Sequence, residues 1–144
     1  MTLFVDTNVL LDVLAKREPF YSAAAQVWSL AERGEVKACV SAISFNNLYY
    51  IIRKAESKDK AREALRLVRD VFEPIAPDAR ITNQSIDSPL DDFEDAVQFH
   101  SAVRAKARYL ISRDPGDFPQ TGPPVLTPEE FLATWSSSES GRAK

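Results

Sequence analysis

Residues 2–14 read TLFVDTNVLLDVL, an apolar run that stops at Asp6 and continues at once as an amphipathic segment. The run TLFV has the length and character of a short buried strand. The segment that follows, over 8–16, carries apolar side chains at the spacing of one helix face: Val9, Leu10, Val13 and Leu14. Asp6 therefore stands where a strand passes into a helix. It suits two roles there, the N-cap of the helix and an acid that faces a ligand at the strand's carboxyl end.

The same alternation of short apolar runs and helical stretches continues along the chain. Further strands are predicted at 36–41, at 109–112, within EPIAPDA and within PVL, and further helices at 21–33, 44–54, 58–72, 88–106 and from 128 onward. Strands that alternate with helices predict a parallel sheet covered on both faces. We therefore expect a three-layer α/β/α fold with a central parallel sheet, formed by one domain over 1–135 and followed by a flexible C-terminal tail over 136–144.

The composition limits the classes of function. The 144 residues are 44% hydrophobic and 27% charged, with a net charge of −3. This charge argues against a general nucleic-acid coat, but it is compatible with an acidic site that holds phosphates through a metal ion. The single cysteine, Cys39, cannot form an internal disulfide, so a reducing, cytoplasmic location is expected. No run approaches the roughly 20 apolar residues that span a bilayer, and we expect no membrane association.

The acids of the stretch SPLDDFEDAV differ in what they predict. If Ser88-Pro89 opens the helix, Asp91 and Asp92 lie in its first turn, where the helix dipole favours negative charge. Asp95 then falls in the second turn, beside apolar side chains and past most of that benefit. A carboxylate in such a place needs a positive partner, such as a metal ion. Asp95 is therefore predicted to be functional.

A third acidic region, SRDPGDF, comes directly after the predicted strand at 109–112. D-P-G-D is also a turn signature, so Asp114 and Asp117 have a structural explanation as well. Because the carboxyl ends of parallel strands meet at one edge of the sheet, however, Asp114 is expected to lie near Asp6. Clustered carboxylates repel each other and are usually explained by a hard divalent cation, Mg²⁺ or Mn²⁺. Such an ion can activate water and stabilise a leaving oxygen in phosphodiester cleavage.

Four segments together resemble the PIN domain family, whose small bacterial members include VapC-like toxin ribonucleases. They are VDTNVLLDVL, SAISFNNLYYIIRK, DDFEDAVQFHSAV and YLISRDPGDF with its VLTPEEFL ending, and they span the chain in order from about residue 3 to residue 132. The resemblance implies a fold similar to the nuclease core of flap endonucleases. It also implies cleavage of RNA with Mg²⁺ or Mn²⁺, a small antitoxin protein as partner, and a homodimer.

The resemblance assigns roles to particular residues of this chain. Asp6, Asp95 and Asp114 would be the catalytic metal ligands, with Asp117 as an accessory. Asn8 is expected to be a polar helper beside Asp6 that contacts substrate. Arg113, next to the proposed site, is the expected contact for an RNA phosphate.

One position departs from the family pattern. The family usually has a glutamate in the helix after the second strand, where this chain has Asn47. The Asn47 carbonyl oxygen can still ligate a hard cation, but it brings no negative charge. The metal affinity is therefore expected to be lower than with a glutamate.

Two alternatives remain open from the sequence. The first is a PIN-fold module that binds RNA or protein but has lost efficient catalysis, as Asn47 suggests. The second is a phosphotransfer enzyme of the haloacid dehalogenase type with Asp6 as nucleophile. Such enzymes need a second aspartate two residues later, where this chain has Asn8.

Overall fold

The computed structural model describes residues 1–142, with side chains described up to residue 138. The chain forms five strands, seven α-helices and one short 3-10 helix over these residues. In order they are β1 (Thr2–Val5), α1 (Thr7–Leu14), α2 (Tyr21–Glu32), β2 (Lys37–Ser41), α3 (Ala42–Ala55), α4 (Lys58–Val71), β3 (Glu73–Ile75), α5 (Ala79–Ile86), α6 (Phe93–Arg104), β4 (Tyr109–Ile111), the 3-10 helix (Pro115–Asp117), β5 (Val125–Leu126) and α7 (Pro128–Arg142).

The strands form one parallel sheet in the order β3-β2-β1-β4-β5. β1 lies at its centre, so that Phe4 is opposite Cys39 of β2 on one side and Leu110 of β4 on the other. The ladder continues one residue beyond β1, because the Asp6 N–H donates to the Ile111 carbonyl at 2.9 Å. The predicted parallel sheet between helices is confirmed. Its topology brings the ends of β1 and β4 side by side.

The two faces of the sheet are covered by different helices, because alternate residues of a strand point to opposite faces. Leu3 and Val5 belong to a large buried cluster that includes residues of α1, α2, α3, α4 and α7. Phe4 points the other way, into a smaller cluster with Cys39, Leu110 and Phe99 of α6. Cys39 is thus a small buried hydrophobe in the core. This arrangement places α6 on the face opposite α1 and α3.

The helix that carries Asp95 begins later than the sequence predicts. Ser88 accepts a hydrogen bond from the Leu90 N–H at 3.2 Å, but this bond only closes a local turn, and the helix does not begin there. The N-cap is Asp92, whose Oδ1 accepts from the Asp95 N–H at 3.0 Å. Asp95 therefore lies in the first turn of α6, and the prediction that it lies in the second turn is wrong. Helix α5 was not predicted at all.

The last helix starts where the sequence predicts. Thr127 and Glu130 form a reciprocal capping box, with bonds of 2.9 Å and 3.1 Å between each backbone N–H and the other side chain. α7 then runs to Arg142, so it includes 136–142 of the predicted tail, and 143–144 lie outside the described residues. Within the part of the chain described here, no helix has the length and apolar character to cross a membrane.

Candidate active site

A cleft of about 440 Å³ opens where the carboxyl ends of β1 and β4 meet the start of α6. It is lined by side chains from several separate segments of the chain, and six of them are acids: Asp6, Asp92, Glu94, Asp95, Asp114 and Asp117. Asn8 and Asn47 also line it. The structure thus brings together the four predicted acids and both predicted asparagines. Arg113 is the one predicted site residue that does not line the cleft.

Asp6 forms the floor of the cleft and is only 5% exposed. Its Oδ1 accepts from the Gln98 side-chain amide at 3.0 Å, and its Oδ2 accepts from the Ser112 hydroxyl at 2.8 Å. Oδ1 also caps α1 through the Asn8 N–H at 3.4 Å. Burial raises the pKa of Asp6, and these hydrogen bonds oppose that rise. The two roles predicted for Asp6 are therefore compatible, since the residue caps a helix and also faces the cleft.

Asp114 is tied to Asp6 through two polar neighbours. The Ser112 hydroxyl, which donates to Asp6, accepts from the Asp114 N–H at 3.1 Å. Asn8 donates from its side-chain amide to Oδ2 of Asp114 at 3.2 Å. Asn8 thus spans the ends of β1 and β4, as a helper beside Asp6 would.

Asp95 lies in an unfavourable electrostatic environment. Its pKa is raised to about 7, first by burial and then by repulsion from Asp6, Asp92, Asp117 and Glu94. Among the described residues, no lysine or arginine lines the cleft to balance these charges. The position of Asp95 in the first helix turn gives it some benefit from the helix dipole, but that benefit does not offset burial and repulsion together.

A buried polar network joins the floor of the cleft to two helices. Gln98 accepts from the Thr7 N–H at 3.1 Å with the carbonyl end of its amide, while the nitrogen end holds Asp6. The Thr7 hydroxyl lies 2.7 Å from the Ser44 hydroxyl of α3 and donates to Oε1 of Glu94 on α6 at 2.9 Å. α1, α3 and α6 are therefore connected through Thr7.

Arg113 points away from the cleft, toward a second acid. Its Nε lies 3.1 Å from Oδ2 of Asp12, a carboxylate that is only 1% exposed. Within the described part of the chain, neither Nε of Arg113 nor Oδ1 of Asp12 has a hydrogen-bond partner, so the pair is held by charge. The guanidinium also stacks over the Phe20 ring, 4.3 Å from its centroid. These contacts compete with the phosphate contact expected of Arg113.

The donor set fits a hard divalent cation. Carboxylates and amide carbonyls are the ligands that Mg²⁺ and Mn²⁺ take, and the acids that line the cleft have no cationic side chain among them to offset their repulsion. Within the described residues, no three acid, histidine or cysteine side chains already converge on one point. A cation would therefore have to draw the side chains at the rim inward around Asp6.

A second, larger cleft carries a different set of side chains. It has a volume of about 750 Å³ and is lined by Arg80, Phe99 and His100 among others, with Asp87 as its one carboxylate. Burial lowers the pKa of His100, the single histidine of the chain, which lines this cleft and not the acidic one. The acidic cleft, and not the larger one, is therefore the candidate active site.

Several residues of the site were not predicted, and they are mostly uncharged. Gln98, Ser112, Ser44 and Thr7 are polar side chains inside elements whose other residues form the core. Ser112 could have been noticed, because it directly follows β4 and precedes Asp114 by two residues. Gln98 could also have been noticed, one turn after Asp95 in an apolar stretch.

The chain is similar in sequence to known proteins over most of its length. The sequence profile described as the PIN domain matches residues 2–115. The protein "Ribonuclease VapC1" of Aquifex aeolicus (strain VF5) is 25% identical over 140 residues, which is 94% of this chain and 96% of that protein.

Solved structures show the same fold. The chain is similar to one in VapBC2 from Rickettsia felis bound to a promoter DNA fragment, with a TM-score of 0.69 and 16% identity over 88% of this chain and 98% of that one. A toxin–antitoxin complex from Klebsiella pneumoniae gives a TM-score of 0.65 and 24% identity over 89% and 98% of the two chains. VapC20 of Mycobacterium tuberculosis, described as a toxin that cleaves the sarcin–ricin loop, gives 0.61 and 14% over 75% and 86%.

Proposed function

Since the chain belongs to the PIN domain family, we propose that it is a metal-dependent endoribonuclease and the toxin component of a toxin–antitoxin pair. The observation that carries this proposal is the gathering of Asp6, Asp95 and Asp114 from three separate segments into one cleft without a cationic side chain. The relatedness to a ribonuclease, at 25% identity over almost the full length of both chains, supports the same activity.

The proposed cation would be held by Asp6, Asp95 and Asp114, with Asp117 as an accessory and the Asn47 carbonyl as a weak ligand. When bound, Mg²⁺ or Mn²⁺ supplies a Lewis acid that stabilises the negative charge developing on the phosphate. The chain's own residues prepare for it. Gln98 and Ser112 keep both oxygens of Asp6 in place.

Asn8 and Arg113 remain the proposed contacts for RNA. Asn8 lies in the cleft and holds Asp114, so its amide is within the region where substrate must lie. Arg113 has 27% of its side chain exposed. Its backbone N–H donates to the side-chain oxygen, Oδ1, of Asn8 at 3.5 Å. Arg113 can therefore act on RNA only by sharing its charge with Asp12 or leaving it.

The proposed partners are RNA as substrate, a small antitoxin protein and a second copy of the chain. Two of the similar solved structures are described as toxin–antitoxin or VapBC assemblies, which supports the antitoxin. The exposed Tyr50 and Ile51 on α3 border the cleft and offer apolar surface for such a contact. Action in the cytoplasm is proposed, in keeping with the free Cys39 thiol.

Cleavage of RNA in the presence of Mn²⁺ or Mg²⁺ tests the activity. We expect the wild-type protein to cut RNA and Asp6→Asn to be inactive; asparagine is chosen because it caps helices as well as aspartate. Asp91→Asn, which removes an exposed acid outside the cleft, is the matched control and should cut normally. Equal cutting by wild type and Asp6→Asn would overturn the proposal. Growth arrest on expression, relieved by a co-expressed antitoxin, tests the toxin role.

A binding module without catalysis is the second candidate. It is favoured by one observation, namely that α3 contributes only the uncharged Asn47, Tyr50 and Ile51 to the cleft. Titration of Mn²⁺ by calorimetry separates the two candidates. Absence of binding up to millimolar Mn²⁺ would favour the module.

A further inference from the structure

The cleft has one wall without charge. Its α3 side presents Asn47, Tyr50 and Ile51, whereas the α6 side presents three neighbouring acids, Asp92, Glu94 and Asp95. Asp92 has a structural role as the N-cap of α6. Asp95 is a proposed ligand of the cation. Glu94 is the remaining acid on this side, and it accepts a hydrogen bond from Thr7 at the start of α1.

Glu94 is held against α3 through Thr7. Its Oε1 accepts from the Thr7 hydroxyl at 2.9 Å, and that hydroxyl lies 2.7 Å from Ser44. Ser44 is on α3, one turn before Asn47, so the Glu94 carboxylate lies at the junction of α1, α3 and α6. Thr7 is fixed in turn by Gln98, which accepts from its backbone N–H at 3.1 Å.

The hydrogen bonds of this network are donated toward Glu94. The Thr7 hydroxyl has one hydrogen, which it donates to Oε1 of Glu94 at 2.9 Å. The Ser44 hydroxyl then donates to Thr7, because the pair shares one bond of 2.7 Å. Two hydroxyl dipoles in series thus point at Oε1 of Glu94. Among the described residues, Oε2 of Glu94 takes part in no hydrogen bond and is left for a ligand.

We propose that Glu94 is a fourth anionic residue of the cation site, which supplies from α6 the negative charge that α3 lacks at Asn47. The inference rests on the proposed metal-dependent function. Glu94 approaches the α3 wall from the α6 side and adds a hard oxygen donor to Asp6, Asp95 and Asp114. The neutral Asn47 then need not weaken the site as the sequence alone suggests.

Calorimetric titration of the full chain with Mn²⁺ tests the proposal directly. Glu94→Gln keeps an oxygen that can accept from Thr7 and removes only the charge. We expect it to weaken Mn²⁺ binding about 10- to 100-fold, while Asp91→Asn, at an exposed acid just before α6, leaves it unchanged. The double variant Asn47→Glu with Glu94→Gln moves the charge from α6 back to α3. We expect it to recover most of the lost affinity.

Unfolding without the cation gives a readout other than metal binding. In the presence of a chelator, Glu94→Gln relieves repulsion among the acids, so we expect its melting temperature to equal or exceed that of wild type. If Glu94 served only as an acceptor for Thr7, Glu94→Gln would keep that bond and bind Mn²⁺ as tightly as wild type, which would overturn the proposal. Should Glu94→Gln not fold, Asn47→Glu alone is the second test: with Glu94 in place to supply the charge we expect it to raise Mn²⁺ affinity less than about 10-fold, and a larger gain would overturn the proposal.

The failure of this inference can be told apart from the failure of the proposed function. If wild type binds Mn²⁺ and Glu94→Gln binds it equally well, Glu94 has no part in the site and the proposed nuclease stands. If wild type itself binds no Mn²⁺, the metal-dependent function is wrong and the role of Glu94 is wrong with it.

Discussion

The Ser112 hydroxyl donates a hydrogen bond of 2.8 Å to Oδ2 of Asp6, where the end of β4 lies beside the end of β1. Ser112 and Asp6 are both buried, and 106 residues separate them in sequence. This bond joins the residues that follow β1 and β4, and so holds Asp6 and Asp114 at the same cleft. The same hydroxyl also restrains Asp114, because it accepts a hydrogen bond from the Asp114 N–H.

Ser112→Ala tests this link. The change leaves a buried carboxylate oxygen without its donor, so we expect a loss of about 1–3 kcal/mol in the free energy of unfolding and a marked drop in RNA cleavage. Urea denaturation and a cleavage assay measure the two effects.

Ser101→Ala is the matched control for Ser112→Ala. Ser101 is equally buried, but within the described residues its hydroxyl has no hydrogen-bond partner. Its removal should leave stability unchanged or raise it, and cleavage should be normal. Equal losses in both variants would mean that the bond to Asp6 contributes nothing particular.

Gln98→Glu tests the clamp on Asp6 with almost no change in shape. The new carboxyl replaces the amide that donates to Oδ1, and it places a second acid 3.0 Å from Asp6 in a buried position. Ionisation of both would be strongly unfavourable, so we expect the variant to be less stable than wild type and the deficit to grow from pH 5 to pH 8. Urea denaturation at the two pH values measures it. A deficit that does not depend on pH would contradict this account.

The raised pKa of Asp95 predicts a pH dependence of stability when no cation is bound. The folded protein keeps a proton on Asp95 up to about pH 7, whereas the unfolded chain loses it near its ordinary value of 3.8. The folded state therefore binds more protons between these values, and stability contributed by Asp95 is lost as pH rises from about 4 through 7. Asp95→Asn should flatten this slope in a chelator, as measured by urea denaturation.

The affinity for the cation should have the opposite pH dependence to the stability of the cation-free protein. A divalent ion competes with the proton on Asp95, so Mn²⁺ affinity is expected to increase from pH 5.5 to pH 8 with release of a proton. Calorimetry in two buffers of different ionisation enthalpy measures the proton count. Binding without proton release would argue against Asp95 as a ligand.

Arg113→Ala is expected to act on stability before it acts on RNA. It leaves Asp12 buried without its cation, and breaking a buried ion pair from one side costs about 3–5 kcal/mol. Arg104→Ala removes an exposed pair with Asp78 and should cost much less, because solvent screens such a pair. Thermal unfolding compares the two. If Arg113→Ala were as stable as Arg104→Ala and lost only RNA affinity, phosphate binding would be the main role of Arg113.

The sequence predicts the sheet and the acids of the site better than the residues that support them. Short apolar strands alternating with helices constrain the fold strongly, and the rule that ligands bind at strand ends selected Asp6 and Asp114. The start of α6 was missed because SPLDDFED contains two overlapping start signals. Ser88 closes only a local turn, and the helix begins at the second signal, Asp92.

The supporting residues could not be predicted for a different physical reason. Gln98 and Thr7 matter because of what they face across the fold, and a neutral amide or hydroxyl carries no sign of its partner in the sequence. Arg113 shows the converse case. Its charge alone predicts a phosphate contact, whereas its pairing with a buried acid on α1 could not be read from the sequence.

The double role of Asp6 has a consequence for how a growth-arresting nuclease of this kind is silenced by mutation. Most substitutions at position 6 remove a helix cap and two buried hydrogen bonds together with the acid, so we expect them to destabilise the folded protein. Asp114 is exposed and Asp95 only partly buried, and their replacement leaves β1 and α1 intact. In a selection for survivors, we expect changes at 95 and 114 to leave an abundant, folded and inactive protein that still binds its antitoxin. Changes at position 6 should instead leave little folded protein, so that the antitoxin stays unbound.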